Sequence, residues 1–248
     1  MDINAVVIIP ATGKSTIALG RSIDSVLAQT VPTRCYLVTD GPEFQEQVDW
    51  LLDHMFSEWG NTEFEKFSHC QLPINVGANG FYGHRIYAAF SHLVNEDYVM
   101  FLDEDNWFEP NHVETMIGSM NPGSSWAHSL RNITDKHGEL ICQDNCENLG
   151  RWPVWNNPAM HHIDTSCYCV RREVLIQLAS AWHGGYAQDR VFYNTLRQYF
   201  PTFECTGKYT VNYRLDGNPG SANKMFFEQG NEFMMRKYNG VFPWTKTI

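Results

Sequence analysis

The sequence predicts an open α/β sheet flanked by helices, regular in its amino-terminal half and irregular in its carboxyl-terminal half. Three observations carry this. Ala5-Val6-Val7-Ile8-Ile9-Pro10 is a continuous apolar run, largely β-branched and closed by proline, the pattern of a strand buried on both faces of a parallel sheet. Residues 15–29 follow with Ile17, Leu19, Ile23, Val26 and Leu27 at helical spacing, and Cys35 to Thr39 reads as a second strand, which makes a βαβ unit with a right-handed crossover. Tyr98 to Leu102 is the most buried-looking strand of the chain, and it runs directly into Asp103-Glu104-Asp105-Asn106.

Between these landmarks, residues 43–59 pattern as an amphipathic helix, and residues 79–94 as another after the loop Asn75-Val76-Gly77-Ala78. Regular βα alternation lasts to about residue 120. Residues 121–163 are rich in Asn, Gly, Pro and Trp and hold only short strand candidates such as Ser125 to Leu130. Thr165 to Val170 reads as a strand leading into a helix at 172–181, the loop Trp182-His183-Gly184-Gly185-Tyr186, and a helix at 188–199. With no Pro/Ser/Gly-type linker and no repeat, residues 1–248 are read as a single domain of two halves, about 1–120 and about 121–248.

Composition narrows the function classes. Of 248 residues, 43% are hydrophobic, 14% aromatic and 19% charged, which excludes disorder and low-complexity or collagen-like chains. Eighteen basic against 28 acidic residues, a net charge of −10 and no Lys/Arg run speak against nucleic-acid or anionic-membrane partners. Met1-Asp2-Ile3-Asn4 lacks the basic flank of a signal peptide, and nothing approaches the roughly 20 apolar residues of a spanning helix, so no transmembrane segment and a cytoplasmic location are expected. Seven cysteines are an odd number. The spacings Cys142-x3-Cys146 and Cys167-x-Cys169 fit no common zinc motif, so they read as reduced structural thiols, the second pair on one face of a strand.

Two motifs bear on chemistry. Ala11-Thr12-Gly13-Lys14-Ser15-Thr16 invites a phosphate-loop reading, but that motif needs a glycine where Ile8 stands inside the strand. Asp103-x-Asp105 is sharper. In an open α/β sheet ligands collect beyond the carboxyl ends of the strands, and carboxylates crowded there repel one another unless a cation or hydrogen bonds compensate. Two of them two residues apart can share a hard divalent cation, which in turn neutralises a diphosphate, and this placement favours a metal site over a solvated turn.

Taken together, Val6 to Pro10, Leu19, Ser22 to Thr30, Val38-Thr39-Asp40-Gly41, Asn75-Val76-Gly77 and Phe101 to Asn106 with Pro110 resemble the nucleotide-sugar-binding half of GT-A glycosyltransferases, family two in particular. Asp164-Thr165-Ser166, Arg171-Arg172, Gly184 to Asp189 and Val211 to Arg214 match more loosely. The resemblance implies a Rossmann-like, mostly parallel mixed sheet with an acceptor-binding carboxyl-terminal half. It implies that Pro10, Ala11 and Thr12 line a nucleoside pocket, that Asn75 contacts the nucleotide, and that Asp40 accepts the imide hydrogen of uracil. Arg85 would reach the base or phosphates, Asp103 the ribose or the metal, and Asp105 would ligate Mn2+ or Mg2+. Asp189 would be the general base, with Gln188 standing where the family often has a second carboxylate. His161, His162 and His183 are candidates for a further metal or donor contact. Trp155, Trp182 and Tyr186 are candidates for a sugar face, because the C–H edges of a sugar are apolar.

The expected activity is metal-dependent transfer of a sugar, by inversion, from a UDP-sugar donor to a hydroxyl of a glycan or other acceptor. Such a short chain would be a minimal catalytic unit of a virus or a bacterium, working in the host cytoplasm if viral. Two other readings stand beside it. A sugar-1-phosphate nucleotidyltransferase would need a glycine-rich, arginine-bearing loop after the first strand, where Ala11-Thr12-Gly13-Lys14 offers one glycine and no arginine. A non-catalytic nucleotide-sugar-binding module would have no use for Asp103, Asp105 and Asp189 together.

Overall fold

The computed structural model describes residues 4–215 and 222–245, so the reading of Met1 to Ile3 lies outside the described residues. Strand β1 (Ala5–Ala11) leads through helix α1 (Thr16–Leu27) to β2 (Thr33–Thr39). Helices α2 (Gln45–Phe56) and α3 (Asn61–Lys66) and strand β3 (Phe67–Gln71) follow, then α4 (His84–Phe90) and β4 (Tyr98–Phe101). The remainder comprises β5 (Trp107–Phe108), α5 (His112–Ser119), β6 (Trp126–Thr134), β7 (Leu140–Gln143), β8 (Tyr168–Arg171), α6 (Arg172–Leu178), α7 (Gln188–Tyr199), β9 (Phe203–Arg214) and α8 (Lys224–Lys237).

These strands make one nine-stranded mixed sheet in the order β3-β2-β1-β4-β8-β6-β9-β5, with β7 added on β6. The block β3-β2-β1-β4 is parallel. Val6, Val7, Ile8 and Ile9 have no exposure, as expected of a central strand covered on both faces. From β1 the chain moves to β2 and β3 on one side and then returns to β4 on the other. That reversal opens a crevice between the carboxyl ends of β1 and β4, the place where such sheets bind ligands. Beyond β4 the pairing changes character: β8 runs antiparallel to β4 and β6, while β6 and β9 run parallel over most of their length. A separate core of Leu130, Ile133, Cys146, Leu149, Phe227, Met234 and Trp244 packs under this half.

Several elements depart from the sequence reading for identifiable reasons. The helix expected over 79–94 is confined to α4, because Asn79 (φ 61°), Gly80 (φ 82°) and Tyr82 (φ 52°) take left-handed backbone that no α-helix can include. The strand expected from Thr165 begins at Tyr168, because the Asp164 side chain accepts a hydrogen bond from the Ser166 N–H and caps a 3-10 turn over Thr165–Cys167. Cys167 and Cys169 therefore do not share a strand face. Cys167 Sγ accepts from Asn148, and Cys169 lies against Met120. The helix expected over 43–59 is present as α2, shortened to Gln45–Phe56, while α3 and the edge strand β3 are additional elements.

Candidate active site

A cavity of about 470 Å³ occupies the crevice. The end of β1 contributes Pro10, Ala11 and Thr12 to its lining, and the loop after β2 contributes Asp40. Asp40 is buried, and its two oxygens accept the N–H groups of Val76 (2.7 Å) and Gly77 (2.9 Å). Burial pushes its pKa above the ordinary carboxylate value, against the lowering effect of those two donors. The fit leaves no room for a side chain at position 77, where a Cβ would stand 2.4 Å from Asp40 Oδ2 and 2.3 Å from the Tyr82 carbonyl oxygen. Asn75, in the same loop, lines the cavity and donates to Glu43.

The acidic triplet divides its labour. Glu104 turns back to β1, where it accepts from the N–H groups of Thr12 (2.9 Å) and Gly13 (2.7 Å) and from the Thr12 hydroxyl. That clasp fixes the β1–α1 loop and satisfies Glu104 without a metal. Asp103 and Asp105 face the cavity. Asp103 Oδ1 accepts from the Tyr87 hydroxyl at 2.8 Å, and its backbone N–H donates to Ser166 Oγ. Burial, then the charges of Asp164 and Asp105, push the Asp103 carboxyl up to about 8 despite the Tyr87 bond. Two oxygen donors under that mutual repulsion suit a hard divalent cation, whose charge would relieve it. Among the described residues, no group of three or more His, Cys, Asp or Glu side chains converges as a complete metal cage. A cation here would therefore draw its remaining ligands from water and substrate.

Asp103 also lines two adjoining cavities, of about 310 Å³ and about 250 Å³. The second of these holds Asp189, in the first turn of α7. Asp189 Oδ1 accepts from the Arg190 N–H at 2.8 Å, and Oδ2 stands 3.4 Å from Nδ1 of the buried His162. On the facing wall Arg131, only 2% exposed, reaches Asp144 (2.9 Å), Glu147 (2.5 Å) and Asp164 (2.7 Å). This buried cation ties β6 to the segment before β8, and so braces the floor beneath Asp103.

Comparison with known proteins bears on this arrangement. The first 349 residues of S. aureus TarS, solved with UDP, superpose over 95% of this chain with a TM-score of 0.63 at 11% identity. The same TarS segment with UDP-GlcNAc gives the same TM-score. The mannosyltransferase PcManGT of Pyrobaculum calidifontis, solved with GDP-Man and Mn2+, superposes over 100% of this chain with a TM-score of 0.57 at 10% identity. The chain has the GT-A fold. It spans 65% of the TarS chain and 68% of PcManGT. No family model matches it. In sequence, an uncharacterized protein of Haemophilus influenzae is 37% identical over 73 residues, which are 29% of this chain and 49% of that one.

On this GT-A scaffold some expected site residues lie away from the crevice. Arg85 packs its guanidinium 3.3 Å over the Phe81 ring and donates to the Val76 carbonyl, so it struts the 75–81 loop instead of reaching the cavity. Trp182 has no exposure and stacks on Phe192 at 4.2 Å, which leaves no ring face for a sugar. Trp155 packs against Gly230, Phe226 and Phe233 in the carboxyl-terminal core. His161 is bonded to the Gly150 carbonyl, and His183 lies against Phe81. Neither lines a cavity described here. Tyr186, 74% exposed, does line the Asp189 cavity, as does His162.

Other residues reach the cavities without having been singled out. Lys14 and Arg214 line the main one. Lys14 stood in the discarded phosphate-loop motif, and Arg214 closes the Val211 to Arg214 segment, so both had a trace in the sequence. Asp164 opens the loosely matching Asp164-Thr165-Ser166 segment, whereas Arg131 and Glu147, which line the Asp189 cavity, and the buried Asp144 had no trace, because their union depends on the fold of the irregular half.

Proposed function

We propose that this chain is a glycosyltransferase that moves a sugar from a UDP-sugar to an acceptor hydroxyl with inversion, using Mn2+ or Mg2+. The observation that carries the reading is the continuity of the crevice: Asp103 lines both the cavity that holds Asp40 and the Asn75 loop and the cavity that holds Asp189. A donor and a base placed at its two ends would meet beside Asp103. The TarS and PcManGT structures, with bound nucleotide sugars on the same fold, support the donor class.

In this reading the remaining lone pairs of Asp40 accept the uracil imide N–H, while Pro10, Ala11 and Thr12 enclose the nucleoside. Glu104 contributes by holding the Thr12–Gly13 backbone in place. Asp103 and Asp105 would hold the divalent cation, which when bound supplies positive charge against the departing diphosphate. Lys14 and Arg214, at the rim, add positive charge that this acidic chain otherwise lacks there. Asp189 takes the proton of the acceptor hydroxyl as that oxygen attacks the anomeric carbon. One base on the face opposite the leaving group implies direct displacement, hence inversion. His162 Nδ1, 3.4 Å from Asp189 Oδ2, stands beside the base at that end of the crevice.

Thermal shift with UDP, with and without MnCl2, tests the reading. The expected result is stabilisation by UDP that grows with the metal and is lost in Asp105→Asn. No stabilisation under either condition contradicts it. Binding of UDP without release of UDP from any of a panel of UDP-sugars would make the chain a binding module.

A further inference from the structure

Tyr82 combines three features. It is a non-glycine residue at φ 52°, and its side chain is 57% exposed. With Asp103, it also lines the cavities of about 470, 310 and 250 Å³. Left-handed backbone is uncommon for a bulky side chain, and such strain persists only where surrounding structure enforces it. The enforcement is visible. The Tyr82 N–H donates to the Gly77 carbonyl at 3.0 Å, and the Tyr82 carbonyl closes against the Gly77 Cα, at the one position where Asp40 also permits only glycine.

The loop is joined on its far side to the segment that carries Asp189. His84 Nδ1 is 3.1 Å from the Gly184 carbonyl oxygen, and Gly185 lies against Gly80. The Tyr82 ring meets His84 edge-on, with centroids 5.7 Å apart. An exposed aromatic held in a strained backbone between the nucleotide end and the base end is placed to meet what lies between a diphosphate and an acceptor. In a nucleotide sugar, that is the sugar itself.

We propose that the Tyr82 ring is the platform on which the donor's sugar stacks, in the cavity of about 310 Å³ lined also by Thr165 and Tyr213. This rests on the glycosyltransferase reading and adds to it a residue that selects and orients the transferred group. It takes the aromatic role that Trp155 and Trp182 do not fill. The contacts of its N–H and carbonyl with Gly77 hold Tyr82 at its positive φ on the crevice wall.

The test uses Tyr82→Ala, Tyr82→Phe and Tyr82→Gly, with UDP, UDP-GlcNAc, UDP-glucose and UDP-galactose as probes. The readouts are UDP affinity, acceptor-free hydrolysis of each donor, and melting temperature. The proposal expects UDP affinity within about twofold of wild type in all three variants. It expects hydrolysis of the preferred donor to fall roughly three- to tenfold in Tyr82→Ala and Tyr82→Gly, as for loss of one ring contact, with Tyr82→Phe close to wild type. Tyr82→Gly should melt no lower than Tyr82→Ala, because glycine adopts positive φ at no steric cost. Wild-type hydrolysis in Tyr82→Gly overturns the proposal, and so does a loss in Tyr82→Phe equal to that in Tyr82→Ala. If the wild-type protein binds no UDP at all, the glycosyltransferase reading falls, and this proposal with it.

Discussion

The two halves of the molecule are held together by different physics. In the parallel block β3-β2-β1-β4 the central strands carry no exposed apolar side chain from Val6 to Ile9, and hydrophobic burial does the holding. In the half built on β6 and β9, a buried guanidinium is shared among three carboxylates drawn from residues 144, 147 and 164. Burial alone would raise the Asp144 carboxyl, yet Arg131 and the N–H groups of Cys146, Glu147 and Asn148 hold it below its ordinary value. The lesson is a division between an apolar scaffold for the side of the crevice that carries Asp40 and a polar one for the side that carries Asp189.

Removing charge from the second half should have the largest effect. Arg131→Met leaves three carboxylates uncompensated in the interior and is expected to cost about 3–5 kcal/mol in urea unfolding. A loss under 1 kcal/mol would mean that the network is solvated and that the contrast between the halves is false.

Acid should act on β6 itself, through His128, and on the contact of α5 with β9, through His112. Burial holds His112 down to about 3 and His128 down to about 4, so both stay neutral in the folded protein. Unfolded histidines titrate near 6.5, so between about pH 6.5 and 4 the unfolded state binds protons that the native state refuses. Stability from both groups is therefore complete above about pH 6.5 and falls as pH drops, by up to about 1.4 kcal/mol per pH unit for each. His112→Gln, which preserves a partner for the Thr210 hydroxyl, should flatten that slope in pH-dependent melts. An unchanged slope would remove His112 from the account.

The smallest effect belongs to the apolar block. Ile8→Val removes one methylene from a fully buried position and should cost about 0.5–1.5 kcal/mol, with nucleotide binding intact. A larger loss would show the parallel block to be the less tolerant one.

The same contrast governs what could be read from sequence. The parallel block announces itself through continuous apolar runs and the acid after β4 marks the crevice, so the placement of Asp103 and Asp105 there was legible, and that of Asp40 through the family resemblance. α7 was legible too, at Gln188–Tyr199. β9 was not. It carries Gly207 at φ 66°, which interrupts its alternation, and it pairs with β6 across more than 60 residues of chain with shifts of register. The Arg131 network is likewise a product of non-local pairing. Trp182 shows the limit from the other side: an aromatic beside a glycine-rich loop reads as a sugar contact, and only the packing of Phe192 and Phe101 shows it to be core.

In the proposed function, Asp189 would act on the acceptor at one end of the crevice and a nucleotide would occupy the other. Asp189→Asn separates the two. Once a donor and acceptor pair is in hand, transfer by this variant should fall about 10²- to 10⁴-fold while UDP affinity measured by calorimetry stays at the wild-type value. Transfer at the wild-type rate, or loss of UDP binding together with transfer, would contradict the account.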